Sequence, residues 1–252
     1  MPRAVVVGGA RTPFVRAFAE YIELDTIALG VHAVRGMLER FPVPWSAIDS
    51  LVWGGVILPS GAPNVGREIA IDLGLPPSVE AMTVTRACAS GLQAVTLAIA
   101  AVERGDADVV IAGGSDSTSN AELKMPQSFV RKVAPVTMNR KSGVGDYAKL
   151  LTQLSPKKDL LPRQPKIAER STGEVMGESA EKMAKRNGIS RAAQDAFAVQ
   201  SHQRAAAAMA SGRFDAEIVP VTLPDGSVVT HDTIVRGDSS VEKIGRQERS
   251  SS

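Results

Sequence analysis

The chain has 252 residues, of which 44% are apolar and 22% charged, with a formal net charge of +2. Those values suit a soluble globular protein with a substantial core and single out no polyanionic partner such as nucleic acid for the chain as a whole. No run of about eighteen apolar residues is present, so no transmembrane segment is expected. The single cysteine, Cys88, excludes an internal disulfide framework and suits a reducing, cytoplasmic compartment.

In chain order, Ala4-Val5-Val6-Val7-Gly8-Gly9 reads as an opening strand over 4–8 rather than a targeting peptide, followed by the loop Ala10-Arg11-Thr12-Pro13-Phe14. Asp25 is placed to cap a helix over 26–40, with Ile27, Val31, Val34 and Leu38 on one face. A second strand is expected over 50–58. Asn64 then caps a helix that runs to Leu73 and stops at Gly74. Met82-Thr83-Val84-Thr85 is β-prone, and the apolar run 92–102 has helical periodicity with a stop at Gly105. A strand from Asp108 to Ala112 ends in Gly113-Gly114, a diglycine that lets the backbone pass close to a neighbour and is placed here beside the thiol. This alternation to about residue 120 predicts an α/β fold, with a mostly parallel sheet covered by helices.

The alternation then fails. Residues 121–170 hold eleven Lys or Arg against four acids, a surplus of seven positive charges, with prolines at 126, 135, 156, 162 and 165. Two readings stay open: a solvated surface insertion, or a landing surface for a polyanion such as a phosphorylated cofactor, an anionic lipid surface or a partner subunit. Phe129 and Tyr147 are too few aromatics for a base-stacking platform, which excludes single-stranded nucleic acid. Helical patterns return over 177–187 and 190–210. A hairpin over 218–235 turns at Pro224-Asp225-Gly226. Residues beyond Arg236 are polar, and no internal repeat is found.

Cys88 sits in T-V-T-R-A-C-A-S-G-L-Q-A, which reads as a strand, a sharp turn, and a helix whose first residues include the thiol. A small inert core cysteine is one reading. The other is a nucleophile: unpaired amides and the positive end of the helix dipole favour thiolate over thiol. The same amides can receive an oxyanion. Small residues on both sides leave a substrate room to reach the sulfur.

Several stretches together resemble the N-terminal part of the thiolases, the family that makes or cleaves 3-ketoacyl-CoA. They are A-R-T-P-F at 10–14, N-V-G-R at 64–67, R-A-C-A-S-G-L-Q-A at 86–94 and V-I-A-G-G-S-D-S-T-S-N at 110–120. V-M-G-E-S-A-E at 175–181, Q-D-A-F-A-V at 194–199 and G-R-F-D-A-E-I-V-P at 212–220 follow in the family's order. The resemblance implies a layered α/β fold of two repeated halves with a loop domain inserted in the first. It divides this chain into an N-terminal α/β domain bearing the nucleophile (1–120), an inserted loop domain (121–245; basic 121–170, helical 177–211, hairpin 218–235) and a polar tail (246–252), with the C-terminal half absent.

The resemblance also assigns roles. Cys88 would take the acyl group as a thioester while its own backbone amide helps to hold the oxyanion. Met176-Gly177 match the family's Met-Gly, whose methionine lines the acyl pocket. Val175 stands where many members carry histidine, so any polar role there is lost. Arg236 matches the arginine that meets the nucleotide end of CoA. Coenzyme A is a substrate, and no metal or further cofactor is implied. The expected partners are acyl-CoA and CoA together with a second copy in a homodimer or tetramer, or a complementary thiolase chain. The long basic insertion is similar to that of thiolase subunits of fatty-acid β-oxidation complexes, where the corresponding loop serves oligomer, partner or membrane contacts.

The family's second half supplies a Gly-His-Pro histidine and a Cys-x-Gly cysteine, and neither motif is present. His32, His202 and His231 are read as structural. The implied reaction is 3-ketoacyl-CoA plus CoA to acyl-CoA plus acetyl-CoA, with this chain incomplete and inactive alone. Two other readings stand beside it: a non-catalytic CoA-binding or structural subunit that pairs with a full-length thiolase, and a ketoacyl-synthase-type condensing enzyme. The sheet is expected to keep an unfilled edge and an uncovered apolar face.

Overall fold

Three β-prone runs, each followed or preceded by a capped helix, assemble into a parallel sheet in the computed structural model, which describes residues 3–161 and 168–245. The strands are β1 (Ser50–Gly54), β2 (Glu80–Val84) and β3 (Val110–Gly114), in the order β2-β1-β3. Gly54 of β1 aligns with Val84 on one side and Gly114 on the other, so all three strands end at the same level. Helices α1 (Thr26–Arg40), α2 (Val65–Leu73) and α3 (Ser90–Arg104) complete the crossovers. The Asp25 carboxylate accepts the Ala28 N–H at 2.8 Å and starts α1. Asn64 caps α2, which stops at left-handed Gly74.

Side chains alternate across β1, so Leu51 and Trp53 meet α1 and α2 while Val52 and Gly54 face α3. The first face holds the main core, with Leu51, Val65, Ile69 and Val79 essentially inaccessible. The second face is thinner. Helix α3 buries Ser90, Ala94 and Ala98 and leaves Leu92 (71% exposed), Leu97 and Ile99 in solvent. Strands β2 and β3 each have one neighbour, so both edges of the sheet carry no further strand among the described residues.

The opening strand expected over 4–8 is not formed, and Val5, Val6 and Val7 are 77–80% exposed. β-Propensity needs a ladder partner, and the chain is drawn elsewhere just beyond this point. The Arg11 N–H donates to the Glu217 carbonyl, the Val219 N–H donates to the Arg11 carbonyl, and both bonds are 2.9 Å long. The second strand is also shorter than the expected 50–58. It stops at Gly54, because the backbone then turns into a loop held by side-chain bonds rather than a ladder. Helix α3 starts at Ser90, two residues past the thiol that was expected among its first residues, and β3 starts at Val110 rather than Asp108 and runs through the diglycine.

The chain forms two compact units, residues up to Ala121 with those from Ala192 onward, and Glu122–Arg191. In the first unit the hairpin of β4 (Val221–Thr222) and β5 (Val228–Val229) packs Val221 and Val229 against Tyr21, Leu24 and Leu29. Helix α1 thus buries a second stripe, through Leu29 and Gly36, that the face Ile27-Val31-Val34-Leu38 did not include. In the second unit are α4 (Gln127–Thr137), α5 (Val144–Gln153), a π-helical turn at Pro156–Leu160 and α6 (Met176–Arg186). There the Lys132 ammonium reaches the buried Asp159 at 2.8 Å and, with the Ser128 hydroxyl and the Ser155 N–H, holds its carboxyl well below the usual range. Helices α7 (Arg191–Ala210) and α8 (Val241–Gly245) follow. Residues 162–167, with Arg163 and Lys166 of the basic stretch, and the 246–252 tail lie outside the described residues. No described helix is long and apolar enough to cross a membrane.

Candidate active site

Where β2 ends, the backbone reverses within five residues and enters α3, and Cys88 lies in that reversal. Ala87 has φ +48, a left-handed conformation that a residue with a Cβ adopts at a cost of about 1–2 kcal/mol. Ser90 closes the turn: its hydroxyl accepts the Arg86 N–H at 2.8 Å and donates to the Ala87 carbonyl at 2.7 Å. The Ala89 and Ser90 N–H groups donate back to the Arg86 and Ala87 carbonyls. Cys88 is therefore not in the first helical turn, as the sequence pattern implied. It stands two residues before the first helical residue, on the turn, and is exposed.

The thiol opens into a cavity of about 250 Å³ lined by Gly54, Val56, Ala87, Ser90, Gly91 and the segment 114–116. Close packing of backbone on backbone makes it. A Cβ on Gly54 would lie 2.5–2.6 Å from main-chain atoms of Ser90 and Gly91, so only glycine lets the start of α3 sit this close to β1. Gly114 likewise approaches the Gly54 carbonyl, and Gly113 lies under the Trp53 ring. A second cavity of about 300 Å³, lined by the 10–15 loop, α1, Trp53 and β3, shares Gly114, Ser115 and Asp116 with the first but is not lined by Cys88.

Asp116 joins the two. Its Oδ1 accepts the Val56 N–H at 2.8 Å and the Ile57 N–H at 2.5 Å, which fixes the loop after β1. Neither Val56 nor Asp116 carries a sequence signal for this role, since the bond spans about sixty residues. Gly54, followed by Gly55, could have been picked out as a close-approach pair.

Met176 and Gly177 open α6 in the second unit, both exposed, with Met176 at 70%. Val175 precedes them as the helix cap, and its N–H donates to the Glu178 carboxylate at 2.9 Å. Arg236 is exposed beyond the hairpin, and its backbone N–H donates to His202 Nδ1 at 3.2 Å. Arg236 does not line the Cys88 cavity, and neither do His32, His202 and His231. His32 is half-buried in α1, where burial and the nearby Arg35 push its imidazole pKa down.

A family model described as the thiolase N-terminal domain matches residues 4–248. The chain belongs to the thiolase family. This thiolase chain is 39% identical over 241 residues to a 3-ketoacyl-CoA thiolase of Pseudoalteromonas translucida, covering 95% of itself and 55% of that protein. It is 38% identical to the 3-ketoacyl-CoA thiolase of Yersinia enterocolitica, over 97% of itself and 56% of the relative. The thiolase fold is shared with an acetyl-CoA acetyltransferase of Bacillus anthracis, with a TM-score of 0.82 and 25% identity over 97% of this chain and 58% of the other. A thiolase of Ascaris suum, solved in complex with coenzyme A, matches with a TM-score of 0.76 and 24% identity over 94% and 56% of the two chains. The chain spans little more than half the length of the curated relatives it matches, and its fold is that of the family's N-terminal half.

Proposed function

We propose that this chain carries the acyl-accepting half of a 3-ketoacyl-CoA thiolase. The carrying observation is the exposed Cys88 on a strained, hydroxyl-closed turn that opens into a cavity. In the forward reaction the Cys88 thiolate attacks the 3-keto carbon, forming a C–S bond as the bond between C2 and C3 breaks. The electron pair leaves with acetyl-CoA and must gain a proton. The thiol of a second CoA, once deprotonated, attacks the thioester, forms acyl-CoA and frees Cys88. The backbone N–H of Cys88 itself would help to hold the oxyanion of each attack. On this reading Met176 with Gly177 contributes to the acyl pocket and Arg236 contacts the nucleotide end of CoA.

Proton handling is another matter. Asp116, the carboxylate of the lining, is committed through Oδ1 to two backbone N–H groups, and no histidine lines the cavity among the described residues. That favours acyl acceptance without turnover, completed by a second thiolase chain or a segment equivalent to the remainder of the relatives. It is also the observation behind the second reading, a non-catalytic CoA-binding or structural subunit that pairs with a full-length thiolase. A role in cytoplasmic fatty-acid β-oxidation, within a homo-oligomer or a larger complex, belongs to the same proposal.

Acetoacetyl-CoA and CoA mixed with the chain should give no steady release of acetyl-CoA, whereas acetyl-CoA alone should release CoA once, up to about one equivalent, and then stop. Steady cleavage that Cys88→Ser abolishes would show that the chain holds its own acid and base. Absence of any CoA release would leave the non-catalytic reading.

A further inference from the structure

We propose that Val56 and Asp116 together limit the bulk of the group that Cys88 can carry, Val56 as the wall and Asp116 as the residue that positions it. The assignment deepens the acyl-accepting role of Cys88 and rests on it. The cavity lining is otherwise small or polar: Gly54, Ala87, Ser90, Gly91, Gly114, Ser115 and Asp116. Val56 is the largest apolar side chain of the lining, and it is 46% exposed. A wall of this kind acts only if its backbone is held, and Val56 lies in an irregular loop rather than in β1.

Asp116 supplies the hold. One carboxylate oxygen takes two successive N–H groups, from Val56 and Ile57, and charge-assisted bonds of this type are about twice as strong as neutral ones. The Gly55 N–H adds a bond to the Val84 carbonyl at 3.2 Å. Asp116 is itself seated on a rigid bend. The Ser115 N–H donates to the Gly54 carbonyl, and its hydroxyl accepts from Trp53 Nε1 at 2.8 Å and donates to the Thr26 carbonyl at 2.7 Å. The buried Ser117 N–H donates to Thr26 Oγ1 at 2.9 Å. The position of Val56 relative to the thiol is thereby fixed from β1, β3 and α1 at once.

Cys88 is the chain's single thiol, so its alkylation reports on this geometry without turnover. The full chain is treated with iodoacetamide and with N-tert-butyl-iodoacetamide. With either reagent an S–CH2 bond forms, the C–I bond breaks, iodide leaves and the thiol proton passes to solvent. Each rate is read from the mass of the Cys88 peptide and normalised to N-acetylcysteine. Val56→Gly and Asp116→Ala should each raise the bulky-to-small rate ratio by roughly tenfold, the lower end of what one methylene is worth in an apolar pocket. Val56→Trp should lower it, and Asp116→Asn, which keeps a carbonyl acceptor, should stay near the wild-type ratio. Ile57→Pro removes one of the two donors and substitutes for Asp116→Ala should that variant not fold. A ratio indifferent to both Val56 variants overturns the wall. Equal ratios in Asp116→Asn and the chosen loss-of-contact variant overturn the positioning. If the ratio follows Val56 while acetyl-CoA leaves Cys88 unmodified, the wall stands and the acyl-transfer reading falls. Acylation of Cys88 with a ratio unchanged by the Val56 variants does the opposite, keeping acyl transfer and removing the wall.

Discussion

Cys88 is presented by three neighbours that do no chemistry. Ala87 takes the left-handed turn, Ser90 ties it shut with two hydrogen bonds, and Gly54 lets the helix start lie against the strand. Each role is testable. Ser90→Ala removes both hydrogen bonds of a buried hydroxyl, and should lower unfolding free energy in urea by about 1–2 kcal/mol. Gly54→Ala forces a methyl group into backbone that cannot yield as a side chain tip would. It should cost about 1–3 kcal/mol by the same titration and change the alkylation rate of Cys88 as the turn shifts. The small residues around the thiol were legible in the sequence because glycine, alanine and serine there can only mean space. The conformation of Ala87 was not, since alanine carries no preference for positive φ. The Asp116 contact was hidden for a different reason: a bond between residues so far apart in the chain leaves no local pattern.

Among the elements, periodicity and caps revealed α1, α2 and the region of α3, because Asp25, Asn64, Gly74 and Gly105 mark their ends chemically. The opening strand failed the same kind of inference because a strand needs a neighbour and a helix does not. What organises that stretch is a tertiary ion pair. The Arg11 guanidinium holds Asp232 through both carboxylate oxygens, at 2.7 and 2.9 Å, and the Phe14 N–H adds a third bond at 2.7 Å. Burial pushes the Asp232 carboxyl up, but Arg11 and the Phe14 amide outweigh it and leave the pKa below its ordinary value. An unfolded aspartate takes up its proton near pH 4. The pair therefore stabilises fully above about that pH and is lost as pH falls through the lower, folded-state value. Asp232→Asn should lower stability at neutral pH by about 2 kcal/mol and flatten the acid limb of a stability-versus-pH curve. An acid limb identical to that of the wild type would assign the loss to other carboxylates.

For the molecule as a whole, the α/β class followed from the alternation of strand and helix, and the thiolase resemblance from motifs spread along nearly the full chain. The exposed outer face of α3, with Leu92, Leu97 and Ile99, is a consequence of the three-dimensional arrangement that the apolar run alone could not show, since the same run would suit a helix buried on both sides. An apolar helix face with unpaired sheet edges on the same unit favours association. Sedimentation velocity should show concentration-dependent self-association that Leu92→Glu weakens, with little change in unfolding free energy because the side chain is already mostly in water. Association untouched by that change would place the contact on another surface.

The most direct measurement is peptide mapping of the chain after incubation with acetyl-CoA. One hydroxylamine-labile acetyl group is expected, held as a thioester on the Cys88 peptide and removed when free CoA is added. A Cys88 that remains unacetylated while iodoacetamide still alkylates it would contradict the acyl-accepting role, because the thiol would then be reachable yet unable to take an acyl group.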